Sequence, residues 1–214
     1  MSDYTEEEQI ARIKEWWQRN GKPLLAGGVL ALVIVFGWQA WQKHQTTQAH
    51  TSSVLYQQLL EVTLQPSAQV DAQQVAKLLA ELKKVNPDNA YAQYGALLAV
   101  KIAVDNNQLD DAALELNAIL AKPANDVLAE LARQRLARVL LAQDQAEQAL
   151  ALLDVKVLPA FIATREELRG DALVVLDRPA EAKAAYLQAQ QALSPEAAAG
   201  NLLMKLDNLS EKDA

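Results

Sequence analysis

The side chains that most often carry enzyme chemistry are few in this chain, and their spacing does not suit it. Cysteine is absent, which excludes disulfides, thiolate metal sites and cysteine nucleophiles. The two histidines, His44 and His50, are six residues apart, so one helix face would not present both to a metal ion. The serines of the long C-terminal part have no histidine downstream. The sequence also lacks the G-x-S-x-G, G-x-x-x-x-G-K and H-E-x-x-H motifs.

The paired carboxylates have a simpler explanation than acid–base catalysis. Asp110-Asp111 and Glu166-Glu167 fall near predicted helix starts, where the helix dipole favours negative charge. We therefore predict a protein that is not an enzyme and has no metal or cofactor. The 20 basic and 27 acidic residues give a net charge of −7, which argues against nucleic acid as a partner, because phosphate binding needs clustered Lys and Arg.

The composition predicts helices. Among 214 residues there are 39 Ala and 35 Leu, which favour helix, whereas the β-branched and aromatic residues that strands prefer are sparse. An all-α fold is expected.

One stretch is apolar enough to cross a membrane. Residues 23–42 contain no charged side chain, and at about 1.5 Å per residue a 20-residue helix covers the roughly 30 Å of a bilayer's hydrocarbon core. Lys22 and Lys43 close its two ends, and Trp38 and Trp41 fit the interfacial position that tryptophan prefers. A buried core helix is the alternative interpretation. Within the span, Gly27 and Ala31 form a small-xxx-small pair that would let another helix approach.

The basic residues predict the orientation of this span. Four precede it, at positions 12, 14, 19 and 22, whereas Lys43 alone follows before Lys77. The positive-inside rule then places the N-terminus in the cytoplasm and the C-terminal part outside. A cleaved signal peptide would have a shorter apolar region and a small-x-small cleavage site, so we favour an uncleaved signal anchor.

The flanking segments also read as helix. In residues 1–22, Thr5 and Glu8 have the spacing of a capping box, and an apolar stripe at positions 10, 13, 16 and 17 predicts an amphipathic helix at the cytoplasmic interface. This helix either enters the membrane or provides a docking site. Residues 43–53 are polar without Pro or Gly, and we expect them to continue the helix outward as a stalk.

Residues 54–214 contain an internal repeat. Pro- and Asn-containing breaks, including Pro66-Ser67 and Ser194-Pro195, separate helical stretches of roughly 12–18 residues. Aligning the turn-plus-helix units places Ala76, Ala112, Ala149 and Ala182 in register, spaced by 36, 37 and 33 residues. An apolar residue stands four positions after each: Ala80, Leu116, Leu153 and Tyr186.

This pattern resembles the tetratricopeptide repeat, a helix–turn–helix unit of about 34 residues. The repeat needs a small residue where its two helices cross. The corresponding first-helix positions are Val100, Ala137 and Gly170. The Trp and Tyr typical of the repeat are absent, so a degenerate α-solenoid of helical hairpins is expected, with an ordinary helical bundle as the alternative. First-helix side chains would line its groove: Tyr94, Lys101, Gln134, Arg138, Glu167 and Asp171.

The chain as a whole resembles the bacterial ancillary SecYEG translocon subunit family (YfgM-like). The resemblance rests on the acidic start, the Trp16-Trp17 pair, Asn20-Gly21-Lys22, the Gly-bearing span and the Gly37-Trp38-x-x-Trp41 exit, followed by a degenerate repeat domain. It implies a single-pass inner-membrane protein with a cytoplasmic N-terminus and a periplasmic repeat domain. It further implies association with the SecYEG translocon and the periplasmic chaperone PpiD, and a role in assisting proteins that emerge from translocation.

The residues alone predict less than this resemblance implies. They indicate a membrane-anchored, outward-facing module that binds proteins through a helical groove. A scaffold for another envelope assembly, in division or outer-membrane biogenesis, would share this anchor and domain. A cell-wall hydrolase is a third class, which would need an acid–base pair in a cleft.

Overall fold

The computed structural model describes residues 6–65, 70–193 and 200–212, and within these ranges the regular structure is helical, as predicted. The predicted cap at Thr5 and the predicted breaks at Pro66-Ser67 and Ser194-Pro195 lie outside them. Two compact units are present, Met1–His50 and Thr51–Ala214. The helices are α1 (Glu6–Thr63), α2 (Ala72–Val85), α3 (Ala90–Asp105), α4 (Leu109–Ala121), α5 (Asp126–Ala142), α6 (Ala146–Leu153), α7 (Ile162–Val175), α8 (Pro179–Ala192) and α9 (Gly200–Lys212).

Helix α1 begins in the first unit and continues into the second. It contains the one stretch, among the residues described, that is long and apolar enough to cross a membrane, and none of that stretch is buried within the protein. Leu25, Val33 and Phe36 each expose about three fifths of their surface, which would be costly in water and is favourable in lipid. Trp38 and Trp41 lie together, with ring centroids 5.1 Å apart.

The predicted boundaries at residues 22, 42 and 53 fall inside this one helix, which has no break at any of them. They mark changes in composition and remain predictions as domain boundaries. In the predicted stalk, the hydroxyls of Thr46 and Thr47 donate to the carbonyls of Gln42 and Lys43, four residues earlier. These bonds satisfy the polar side chains without interrupting the helix.

Helices α3 to α8 form three consecutive hairpins, α3–α4, α5–α6 and α7–α8, and α9 packs on α8. The first helices of neighbouring hairpins also touch, α3 with α5 and α5 with α7, which is the contact pattern of a helical repeat array. The C-terminal part of α1 supplies Leu59 and Val62 to a core cluster with Val75 of α2.

The predicted small-residue positions are confirmed in these three hairpins. Ala112, Ala149 and Ala182 are fully buried. The tightest crossing is at Gly170, where a Cβ would lie 2.3 Å from the ring of Tyr186. There α7 and α8 approach too closely for any larger side chain.

In α2 the predicted register is wrong by one residue. Ala76 and Ala80 are exposed, and Val75 and Leu79 take the buried positions. The larger apolar side chains bury more surface than alanine does, so they decide which face of α2 packs inward. The corrected spacings between buried positions are 37, 37 and 33 residues.

The three hairpins share one turn chemistry. Asn107, Asp144 and Asp177 each adopt the left-handed conformation, with φ between 55° and 60°. The next residue in each turn donates its N–H to a carbonyl five residues back, at 2.8–2.9 Å. This is the Schellman pattern, in which Asn and Asp are tolerated at the left-handed position.

Neighbouring repeats are also joined by a buried side chain. Gln93 of α3 is 4% exposed. Its Nε2 donates to the carbonyl of Lys122, and its Oε1 accepts from the N–H of Ala124, both at 2.8 Å. The loop that starts the next hairpin is therefore fixed by the preceding one.

Candidate functional site

Two of the predicted groove residues, Lys101 and Arg138, line the same surface depression between α3 and α5. We call this the α3–α5 depression; its volume is about 270 Å³. Its lining residues are Val100, Lys101, Val104, Asp105, Leu109, Arg135, Arg138, Val139 and Ala142.

Helix periodicity explains why these side chains meet. On α3, residues 100, 101, 104 and 105 form one face, and on α5 residues 135, 138, 139 and 142 do the same. Val100 and Val139 are almost fully buried beneath the depression, whereas Val104 is 41% exposed. The depression is therefore an apolar hollow with charged side chains along its edge.

The charges along this edge are unequally compensated. Lys101 pairs with Asp105 at 2.5 Å, and Arg135 donates from Nη1 to the carbonyl of Leu97 at 2.9 Å. Burial and the neighbouring positive charge of Arg138 lower the pKa of Arg135. Arg138 has no carboxylate within ion-pair distance among the described residues. Three basic residues and one acidic residue give the depression a formal charge of +2, in a chain whose net charge is −7.

The other predicted groove residues lie elsewhere. Tyr94 is 36% exposed on α3 but does not line the depression. Gln134 is buried, and its Nε2 donates to Glu130 at 3.0 Å, so its amide is already engaged inside the domain.

Glu167 and Asp171 are both paired with α9. Lys205 contacts each of them at 2.7 Å, and Asp171 also accepts a hydrogen bond from the Tyr186 hydroxyl at 2.8 Å. Burial disfavours the charged Lys205 ammonium, but the hydrogen bonds to Asp171 and Glu167 outweigh this and raise the pKa of Lys205. Burial, then the bond to Asp171, raises the pKa of Tyr186. These acidic side chains therefore hold the C-terminal helix in place.

A second polar cluster, which the sequence reasoning missed, lies between α5 and α7. Arg165, 1% exposed, approaches Glu130 at 3.4 Å and donates to the carbonyl of Val155. Glu130 also pairs with Arg133 at 3.0 Å. The cluster joins α5, α7 and the connection before the short 3₁₀ turn Pro159–Phe161. Burial lowers the pKa of Arg165, the charge of Glu130 opposing this shift. Its contacts give the cluster a structural role.

Among the described residues, neither histidine belongs to a group that could hold a metal ion. His44 accepts from or donates to Gln48 at 3.0 Å on the exposed surface of α1. Across the described ranges, no group of three or more His, Asp or Glu side chains is placed to hold a metal ion.

Helix-face spacing in the sequence could have identified the lining residues that were not predicted. Val104 lies three residues after Lys101, and Arg135 and Ala142 lie three before and four after Arg138. Residues at these offsets share a helix face, so extending each predicted position by one turn would have found the depression.

The fold and its hairpins define a tetratricopeptide-like repeat protein, with one candidate membrane span in the part of the chain that the structure describes. Consistent with this, the family model described as a tetratricopeptide repeat-like domain matches residues 14–211. The chain is 31% identical over 204 residues to the ancillary SecYEG translocon subunit of Haemophilus influenzae, covering 95% of this chain and 97% of that one. It is 32% identical over 209 residues to the protein of the same name from Escherichia coli, at 96% and 97% coverage. The relative from Neisseria gonorrhoeae is 28% identical over 213 residues, at 98% and 100% coverage.

The chain therefore belongs to the family of ancillary SecYEG translocon subunits. The alignments cover nearly the whole chain, and so include both the apolar segment and the repeat domain.

Proposed function

We propose that this protein is a membrane-anchored adaptor of the SecYEG translocon that acts through protein contacts and not through catalysis. The observation that carries the proposal is the near full-length match to relatives named ancillary SecYEG translocon subunit. A repeat array on the same chain as an apolar helix supports it, because stacked hairpins typically present extended surfaces to other proteins.

The proposal includes an orientation. The N-terminus lies in the cytoplasm and the repeat domain in the periplasm, at the face where exported chains emerge. The four basic residues before the apolar segment, against Lys43 alone just after it, support this arrangement. In the periplasm the domain would meet the chaperone PpiD and pass emerging proteins to it.

Co-purification tests the partner. The tagged full-length chain is isolated in mild detergent from its own bacterium, and partners are quantified by mass spectrometry. The control is another single-pass inner-membrane protein at equal abundance. We expect SecY, SecE, SecG and PpiD to be enriched over the control. Enrichment of division or outer-membrane biogenesis proteins without translocon subunits would instead support the envelope scaffold and refute the proposal.

The absence of cysteine makes the orientation easy to test. Single replacements Gln18→Cys and Gln108→Cys, both at exposed positions, are treated with a membrane-impermeant maleimide in spheroplasts. We expect Gln108→Cys to be labelled in intact spheroplasts and Gln18→Cys only after lysis. The reverse pattern would show that the domain is cytoplasmic.

A further inference from the structure

We infer that the α3–α5 depression binds an extended segment of a partner protein in which a leucine-sized apolar side chain stands next to a carboxylate. This inference rests on the proposed adaptor function and names the chemistry of the segment that the adaptor recognises.

The size and lining of the depression specify the apolar part of the ligand. At about 270 Å³ the hollow has room for one large side chain but not for a folded surface. Val104 is 41% exposed, and Leu109 and Ala142 are also accessible at its edge. An inserted aliphatic side chain would cover these groups and gain the usual free energy of apolar burial.

The charges specify the acidic part. Lys101 is held by Asp105 at 2.5 Å, whereas Arg138 has no carboxylate partner among the described residues. Arg138 lines the hollow and is exposed, so a carboxylate on the ligand would complete an ion pair with it. A charge pair beside a covered apolar contact is shielded from water and is stronger than one on an open surface.

The surrounding charge makes this site selective. The depression carries +2 in a chain of −7, so an acidic segment is attracted here and repelled from most of the remaining surface. A phosphate ligand would leave the apolar hollow unfilled, which is why we assign a peptide.

Two matched peptides test the inference. One fluorescein-labelled nonapeptide alternates leucine and glutamate in its centre, and the other has glutamine in place of each glutamate. Anisotropy is measured with the full chain in lipid nanodiscs, with empty nanodiscs as the blank. We expect the glutamate peptide to bind about tenfold more tightly at low salt, and the advantage to shrink as salt screens the charges. Equal binding of both peptides, or no binding above the blank, would overturn the inference.

Three variants locate the site. Arg138→Glu reverses the unpaired charge and is expected to weaken binding of the glutamate peptide about tenfold while leaving the glutamine peptide unchanged. Ala142→Trp fills the hollow and is expected to weaken binding of both peptides. Lys77→Glu makes the same charge change on the exposed surface of α2, outside the depression, and is expected to have little effect.

Each variant is first checked by far-UV circular dichroism, and Arg138→Gln replaces Arg138→Glu if the latter does not fold. Equal weakening by Lys77→Glu and Arg138→Glu would mean that the domain's overall charge, and not this site, controls binding, and would overturn the inference. Co-purification of the unaltered chain with SecYEG distinguishes failure of the proposed adaptor function from failure of the proposed peptide site. If it succeeds while the peptide result is negative, the depression alone is wrongly assigned. If it fails, the adaptor function is wrong.

Discussion

Replacing Gly170 with alanine is expected to destabilise the repeat domain through one contact. The new Cβ would lie 2.3 Å and 2.4 Å from two ring carbons of Tyr186. Carbon atoms normally approach no closer than ~3.5 Å, so the ring would have to retreat by more than about 1 Å. Tyr186 is only 2% exposed, and its hydroxyl is bonded to Asp171. Moving the ring would therefore disturb its buried neighbours and strain that bond.

The expected change in the free energy of unfolding is the sum of opposing contributions. Alanine is the better helix former by about 1 kcal/mol. Overpacking a core costs about 1–3 kcal/mol, and displacing Tyr186 would also weaken its bond to Asp171, worth about 1 kcal/mol. We expect a net loss of about 2 kcal/mol, which lowers the Tm of a domain of this size by roughly 4–8 °C.

The assay uses the full chain in mild detergent. Thermal unfolding followed by circular dichroism gives the Tm, and hydrogen exchange measured by mass spectrometry reports opening of α7 and α8. Gly200→Ala is the matched control, because a Cβ there meets no atom within 4 Å. An unchanged or higher Tm for Gly170→Ala, with unchanged exchange in α7 and α8, would show that the crossing tolerates a side chain and would refute the reasoning.

Three further predictions concern the turn, the buried charges and pH. Asp144→Gly relieves the left-handed strain at φ 60° and should stabilise the domain by about 0.5–1 kcal/mol in urea unfolding, whereas Asp144→Val should destabilise it. Glu130→Ala leaves Arg165, which is 1% exposed, without its charge partner, and should lower the free energy of unfolding by about 3–5 kcal/mol. A smaller decrease than the one caused by Asp144→Val would contradict this. The raised pKa values of Tyr186 and Lys205 mean that the folded state retains these protons to a higher pH than the unfolded state does. The stability that these two groups contribute should therefore be constant below about pH 10 and be lost above it, and Tyr186→Phe should flatten that fall.

The parts of the fold that could be predicted from the sequence are those where a residue type indicates a single structural role. A 20-residue run without charge identified the apolar helix, and the recurring alanines at 112, 149 and 182 identified the helix crossings. In α2 the same rule failed, because Val75 competes with Ala76 for the buried position and only packing against Leu59 and Val62 of α1 decides between them.

The candidate site was predictable only in part, for a similar reason. Lys101 and Arg138 were placed on the groove by their repeat positions. The same position in the last hairpin is Asp171, which pairs with Lys205 of α9, as does Glu167, the equivalent of Gln134. That helix follows the last recognised repeat, so repeat spacing alone did not reveal its contact. Gln134 is buried and donates a hydrogen bond to Glu130, an interaction that no periodicity encodes.

The hydrogen bonds between Gln93 and the loop at Lys122 and Ala124 affect when the domain can fold during synthesis and where it can be truncated. A nascent chain that ends before residue 122 contains α3 and α4 complete, yet the amide of Gln93 has neither of its partners. Each of these two hydrogen bonds contributes about 1 kcal/mol, so this hairpin gains its full stability only after the first residues of its successor have been made. Any fragment meant to fold should therefore extend beyond Ala124, even though the last helix it needs ends at Ala121.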